Sequence, residues 1–509
     1  MARIKDKYDI VIIGSGLGGL QCGYVLAKEG YKVCILEKNA QIGGNLQTFK
    51  RDRIKFDSGV HYVGGLEKGQ PLYRYFKYFN LLNTISLEKL DEDGYDRISF
   101  SGDPVSYPHA QGFENFIQQL LVHFPNEEKG LRKYIEEIIQ TCSHFELYNL
   151  DKTVSKGNEI DLFSISAKEV IESCTSNKKL QSVLAGSNML YAGFGATAPF
   201  YIHALIINSY VNSSYKLGYS DQISTVLRKE IRAFGGEIHI NAEVVSIQNN
   251  AKNIEHIELA SGKTVGADIY ISNIHPTLTF QMLQTESLRK ANVNRMLNLK
   301  NTISAFIVYI KLKPESLAYC NYNRYHFYQN DVWNLHQYTE ENWIKGIALF
   351  NSPEKSNPAF ANSLTAMVYM KHEEVEQWSK TYNTTLSESN RDEMYVAFKE
   401  EKAQRVLTAI EEVVPDIRRH VETYYTATPL TQRDYIGSVD GGIYGIEHSY
   451  NNPLESFLSS NTKLSNLFLT GQNVVLHGVL GVTVGSMVTC QQILGKEYLM
   501  EKVMKASNG

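Results

Sequence analysis

At 509 residues the chain exceeds what one simple core can organise, and length alone suggests about two to four domains. Its 43% hydrophobic and 21% charged residues are the balance of a soluble globular protein, and a formal net charge of −4 excludes the basic field that nucleic acid binding requires. The six cysteines (Cys22, Cys34, Cys142, Cys174, Cys320, Cys490) have no Cys-x-x-Cys spacing, so no metal site and no redox disulfide are expected.

The N-terminal Met1 to Lys7 is charged, and the apolar run after it serves as the first strand, so no cleaved signal peptide is expected. No apolar run reaches about 18 residues, so no membrane span is expected either. These features, with the scattered thiols, predict a cytoplasmic protein.

A strand, Asp9-Ile10-Val11-Ile12-Ile13, runs into Gly14-Ser15-Gly16-Leu17-Gly18-Gly19 and then into a helix. Gly14 permits a tight turn, Gly16 lets backbone N–H groups approach a pyrophosphate, and Gly19 lets the helix sit close to the strand. The helix N-terminus then faces the anion. Leu20, Gly23, Tyr24 and Ala27 recur at helical spacing and predict one buried face, with Gly30 ending the helix. A second strand, Val33 to Leu36, ends at Glu37, where a carboxylate can accept hydrogen bonds from ribose hydroxyls. Strand, turn, helix, strand and acid in this order define a dinucleotide fingerprint.

A second glycine pair, Gly43-Gly44-Asn45, and the segment Phe56-Asp57-Ser58-Gly59-Val60-His61-Tyr62 follow. A flavin dinucleotide lies against more backbone than NAD does, and bare glycine turns supply that backbone. Leu72, Tyr73, Tyr75, Phe76, Tyr78, Phe79, Leu81 and Leu82 then crowd one stretch. Such a run packs into a core, rims an apolar tunnel or rests on a membrane surface, and core packing is favoured because globular helices outnumber interfacial ones. Helical patterns dominate from about 110 to 215, as at Phe116, Leu120, Leu121 and Phe124.

Near 220 the pattern reverts to a helix, Ile223 to Phe234, then Gly235-Gly236, then strands at Glu237 to Ile240, Ala242 to Ile247, Ile254 to Leu259 and Ala267 to Ser272. From 280 to about 430 short strands such as Ala305 to Ile310 alternate with helical runs, and all three tryptophans fall here. Thr428-Pro429-Leu430-Thr431 and Gly441-Gly442-Ile443-Tyr444-Gly445 read as turns. Finally Leu467-Phe468-Leu469-Thr470 forms a buried strand that enters Gly471-Gln472-Asn473. The segment Val474 to Gly481 follows and leads into a helix through Met487 and Ile493. A strand, glycine turn and helix again create a helix N-terminus that can face a cofactor.

The acid after the second strand, the Gly43-Gly44 turn and the Asp57-x-Gly59 segment resemble the flavoprotein superfamily of the amine oxidases and phytoene desaturases. Gly59-Val60-His61-Tyr62 and Thr470-Gly471-Gln472 with Gly478, Gly481 and Gly485 look like the all-trans-retinol saturases, in particular their bacterial relatives. The resemblance implies an α/β fold: a Rossmann-type, GR2-like FAD-binding domain with a discontinuous α+β substrate domain. The FAD-binding parts are then 1–85, 216–275 and 456–509, and the substrate parts are 86–215, helical, and 276–455.

The same resemblance implies noncovalent FAD held by Gly14, Gly16, Gly18, Gly19, Glu37, Lys38, Gly43, Gly44, Asn45, Gly59, Val60, His61, Val244, Gly471, Gln472, Gly478, Val479 and Gly481. Val244 would act through its backbone. No second GxGxxG lies between 60 and 460, so a built-in NAD(P)H domain is absent and NAD(P)H stays open as an external donor. The function implied is reduction of a carbon–carbon double bond in a polyene such as a retinoid or carotenoid. Carotenoid desaturation, cis–trans isomerisation and amine oxidation are the alternatives. His477-Gly478-Val479 lacks the proline of the desaturase pattern, which disfavours desaturation. His61, Tyr444 and His477 are the candidate proton donors. An apolar polyene partner also suggests peripheral contact with the inner face of a membrane through residues 72–82.

Overall fold

The computed structural model describes residues 3–151, 159–284, 286, 288–385 and 391–508. The chain opens with Lys7–Ile13 (β1), Leu17–Lys28 (α1) and Val33–Leu36 (β2). β1 and β2 are nearly continuous apolar runs because both faces of their sheet are covered. β1 pairs in parallel with β2 on one side and with Thr264–Ser272 on the other. Glu237–His239 extends the sheet beyond β2, and Leu467–Leu469 pairs in parallel with Thr264–Ser272. Ile254–Leu259 and Val244–Asn249 add antiparallel strands at the far side. Three distant stretches of sequence thus share one sheet.

α1 is buried all round from Leu17 to Ala27, where the sequence predicted a single buried face. The difference comes from tertiary packing, since helices Asp221–Ala233 and Gly478–Leu494 both lie against it. At Gly23 an added Cβ would sit 2.6 Å from Ile35 Cδ1, so the missing side chain sets how closely α1 approaches β2. Burying each large aliphatic side chain here contributes roughly 1.5–3 kcal/mol.

A second sheet has the order Val421–Ala427, Ser304–Leu312, Ala361–Met370, Gly346–Pro353, Asn323–Phe327, Asp96–Phe100, Ser106–His109. It is antiparallel except where Asn323–Phe327 runs parallel to Asp96–Phe100. Alternate residues of Ser304–Leu312 serve two cores. Ala305, Ile307 and Tyr309 face the helical layer that contains Phe200–Asn212, whereas Phe306, Val308 and Ile310 face the helix Glu393–Val413.

The structure corrects three expectations. The stretch 86–215 is helical only after it has contributed Asp96–Phe100 and Ser106–His109 to the second sheet. Thr428 to Thr431 is no simple turn: Thr428 caps the helix Pro429–Ile436, with Pro429 in its first turn and a reciprocal Thr428–Thr431 capping box. Most of the aromatic run at 72–82 packs into the core, the favoured reading, and not onto a surface as the membrane alternative required: Leu72, Tyr75, Phe76, Phe79 and Leu81 are fully buried, while Tyr73 and Leu82 are half-buried. They sit on the helix Pro71–Tyr78 (α2) and its exit. Tyr24 of α1 holds that exit, donating to the Tyr78 carbonyl at 2.9 Å and meeting the Phe79 ring edge-on at 5.1 Å.

Candidate functional site

A cleft of about 820 Å³ runs between the two sheets, within the size range of cofactor sites, roughly 300–1,000 Å³. At one end the turn after β1 is held open by an asparagine. Asn273, at the C-terminal end of Thr264–Ser272, donates from Nδ2 to the Gly14 carbonyl at 3.4 Å. A Cβ on Gly16 would lie 2.8 Å from Asn273 Nδ2, and one on Gly18 would lie 2.9 Å from the backbone of Gly471. The first and last glycine turns therefore touch through bare backbone. Gly14, Gly43 and Gly471 also take positive φ angles of 91°, 115° and 94° that a side chain would strain.

Two helices begin at this cleft. Gly16 stands as N-cap of α1 and His477 as N-cap of Gly478–Leu494, and neither helix has a side-chain cap or an acidic residue in its first turn. Their first N–H groups are thus left for an anion or a carbonyl oxygen. These features fit a dinucleotide whose pyrophosphate meets α1 and whose far end meets the second helix.

Glu37 lies in the cleft wall, and its carboxylate already accepts from Ser15 N at 3.0 Å, Ser15 Oγ at 2.6 Å and Asn39 N at 2.9 Å. It therefore braces the glycine turn as well as facing the cleft. Lys38, Gly43, Gly44, Asn45, Gly59, Val60, Val244, Gln472, Gly478 and Val479 line the same cleft, as do Gly14, Gly16, Gly18 and Gly471. Asn45 Nδ2 donates to Gln472 Oε1 at 3.2 Å, tying the early segment to the late one.

Two of the glycines assigned to the cofactor also serve packing, Gly19 as the sequence predicts. Gly19 has no room for a side chain because its Cβ would lie 2.3 Å from the Gly14 carbonyl. Gly481 packs on Leu476 and borders a separate cavity. Asp57 also turns away from the cleft, accepting from Ser220 N at 2.7 Å and Ser220 Oγ at 2.6 Å.

The other end of the cleft is built by side chains. His61 stacks face to face on Phe350, ring centroids 4.2 Å apart, and Tyr444 lies 4.5 Å from His477. All four line the cleft with Tyr62, Leu190 and Tyr210. The candidate proton donors differ in what their protons do. Tyr444 donates its hydroxyl to the Met189 carbonyl at 2.7 Å, and His477 Nε2 donates to the Leu190 carbonyl at 3.0 Å. His61 makes no hydrogen bond among the described residues. Burial pushes His61 down to about 3 and His477 down to about 4, so both are neutral imidazoles at pH 7.

Beyond His477 lies a second, apolar cavity of about 380 Å³, which shares Leu190, Tyr210, His477, Gly478 and Val479 with the cleft. Tyr201, Leu205, Phe163 and Phe457 line its outer part, and Lys496 pairs with Glu146 at its edge. Sequence reasoning missed Asn273, Phe350, Tyr210 and Leu190. Asn273 alone left a signal, as a polar residue directly after an apolar strand, where open α/β sheets bind ligands. Among the described residues no group of three or more metal-ligating side chains converges, and no helix is long and apolar enough to cross a membrane.

Fold and cleft together define a Rossmann-type, dinucleotide-binding protein with a second sheet over the far end of the cleft. A family model for the NAD(P)-binding Rossmann-like domain matches residues 12–79. Along its length the chain is similar to the all-trans-retinol 13,14-reductase of Danio rerio, with 27% identity over 98% of this chain and 88% of that protein. It is also similar to a 4,4'-diapolycopene oxygenase from a Methylomonas species, with 22% identity over 92% of this chain and 94% of that protein. Among solved structures, an oxidoreductase from Methanosarcina mazei shares the fold with a TM-score of 0.64. Its sequence is 18% identical, and the match covers 95% of this chain and all of that one.

Proposed function

We propose that the protein is an FAD-dependent reductase of a conjugated carbon–carbon double bond in an isoprenoid polyene, a retinoid or a carotenoid. The observation that carries this reading is the junction of the two spaces. An apolar cavity of about 380 Å³ meets a dinucleotide cleft along one shared wall at Leu190, Tyr210 and His477. The full-length likeness to enzymes named for retinol and diapolycopene supports the same substrate class.

When bound, FAD supplies hydride transfer to carbon. The chain's own residues do the rest. The glycine turns and the N-terminus of α1 would hold its pyrophosphate, Glu37 and the backbone at Val244 would serve its adenosine part, and the N–H groups at Gly478 would serve its flavin part. Phe350, Leu190 and Tyr210 keep the reacting end apolar and exclude water. NAD(P)H supplied from outside is the candidate electron donor.

An apolar substrate would enter past Phe163 and Phe457, whose rings stack at 5.7 Å beside the cavity. Phe457 is 49% exposed and Leu454 is 65% exposed, so this rim, and not residues 72–82, is the face we assign to peripheral membrane contact. Anaerobic incubation with reduced flavin and a panel of polyenes tests the function. Reduction adds two hydrogens to the product mass, whereas isomerisation leaves it unchanged and amine oxidation consumes no polyene.

A further inference from the structure

Behind the reacting end lies a buried acid that none of the expected roles uses. Asp96 is fully buried, on the strand Asp96–Phe100 next to the edge strand of the second sheet. Tyr62 donates to its Oδ2 at 2.7 Å, and Asn323 Nδ2 donates to its Oδ1 at 2.9 Å. Tyr62 also shares a hydrogen bond of 2.9 Å with Tyr325, and it lines the cleft beside His61. The ring of Tyr210, which borders both cavities, sits 4.6 Å from that of Tyr62.

The groups around Asp96 are phenols and one imidazole. Tyr95 is its chain neighbour, Tyr210 and Tyr325 lie across the packing, and His109 is its cross-strand partner with its ring held by Ser187 and the Val183 carbonyl. Among the described residues no lysine or arginine pairs with Asp96. Burial favours the neutral form of a carboxyl so placed, and Asp96 is pushed up to about 7.

We propose that Asp96 is the proton reservoir of the site and that Tyr62 is the group through which its proton reaches the substrate. This rests on the reductase reading given above. In the step, reduced flavin, when bound, would supply the hydride for one C–H bond. The Tyr62 O–H bond breaks to form the second C–H bond at the neighbouring carbon. The Asp96 carboxyl proton restores the Tyr62 hydroxyl, and solvent later restores Asp96. When Asp96 is neutral its O–H donates to Tyr62, so the Tyr62 proton is free to turn toward the cleft. When Asp96 is ionised, Tyr62 must donate back to it and the proton is withheld. Asp96 is a positioning and supply residue, while Tyr62 faces substrate.

Two measurements decide the matter. In the holoenzyme, turnover should fall as pH rises through about 7. D96N should lower kcat by roughly 10²- to 10⁴-fold, leave KM and bound flavin unchanged, and abolish that descending limb. Y62F should show the same losses, which guards against misfolding of a single variant. Independently of activity, infrared difference spectra of the protein as purified should show a protonated carboxyl that titrates near pH 7 and is missing from D96N. A limb near pH 7 that survives in D96N, or an Asp96 ionised throughout pH 5 to 9, overturns the proposal. If the wild type reduces no polyene, the reductase reading falls, and the infrared titration still decides whether Asp96 stores a proton.

Discussion

The two ends of the cleft are made of different material. At the glycine end, backbone does the binding: Gly14, Gly16, Gly18 and Gly471 are gathered around Asn273 where side chains cannot stand, and Gly43 turns with a positive φ beside Ser224. At the reacting end, side chains from His61, Tyr62, Leu190, Tyr210, Phe350, Tyr444 and His477 enclose the space. Backbone sites bind a common cofactor, whereas side-chain walls choose a substrate. Substitutions at the first end should therefore cost the cofactor, and those at the second should cost turnover with the cofactor still bound.

The largest effect should come from G18V. Its Cβ would fall 2.7 Å from Asn273 Oδ1 and 2.9 Å from the Gly471 backbone, which cannot move aside. Overpacking of this kind costs about 1–3 kcal/mol or more, and here it pushes apart the two turns that hold the dinucleotide. Protein purified from this variant should carry no flavin by absorbance.

Next in size is acid sensitivity, which belongs to the reacting end. Burial holds His61 down to about 3 and His448 and His477 down to about 4, while His109 on the strand Ser106–His109 and His203 on the helix Phe200–Asn212 are held down to about 4 and about 3. Below the ordinary histidine value of 6.5 the unfolded chain takes up protons that the native state refuses, so stability falls as pH drops from there toward 4. Above 6.5 these groups contribute no pH dependence. Each unit of depression corresponds to about 1.4 kcal/mol, so the thermal midpoint at about pH 5 should lie well below that at pH 7.

A smaller and more selective effect follows from filling the apolar cavity. Leu205 lines it and is 7% exposed. L205W should raise KM for a polyene by about tenfold, the scale of 1.4 kcal/mol, with flavin content unchanged. The smallest change is expected at the rim, where F457D should reduce co-sedimentation with liposomes a few-fold and leave turnover of detergent-solubilised substrate intact.

The same division explains what could be read in the sequence. β1, α1, β2 and the turn at Gly471 are local: an apolar run, a glycine pattern and a helical period specify each of them, and their tertiary partners only add to that. The reacting end is made by contacts between segments that carry no motif. Tyr210 lies on a helix buried nearly all round, and Phe350 is one more apolar residue on a central strand. Nothing in their neighbourhoods marks them as different from core. Asp96–Phe100 and Ser106–His109 escaped notice because they are short, and Pro108 sits on the outermost strand of the sheet, the place where a missing N–H is tolerated. The proton donors were chosen by residue type and motif. Which of them has a proton to give depends on hydrogen bonds to Met189 and Leu190 that only the fold supplies.

The central claim is that electrons pass from a bound flavin to a carbon–carbon double bond held against it. Anaerobic mixing of the reduced holoenzyme with a retinoid or carotenoid, followed by absorbance, tests it in one turnover. The oxidised flavin spectrum should return as the polyene chromophore shortens, in equal molar amounts. A flavin that stays reduced while the polyene merely changes geometry, or a chromophore left intact, would contradict the account.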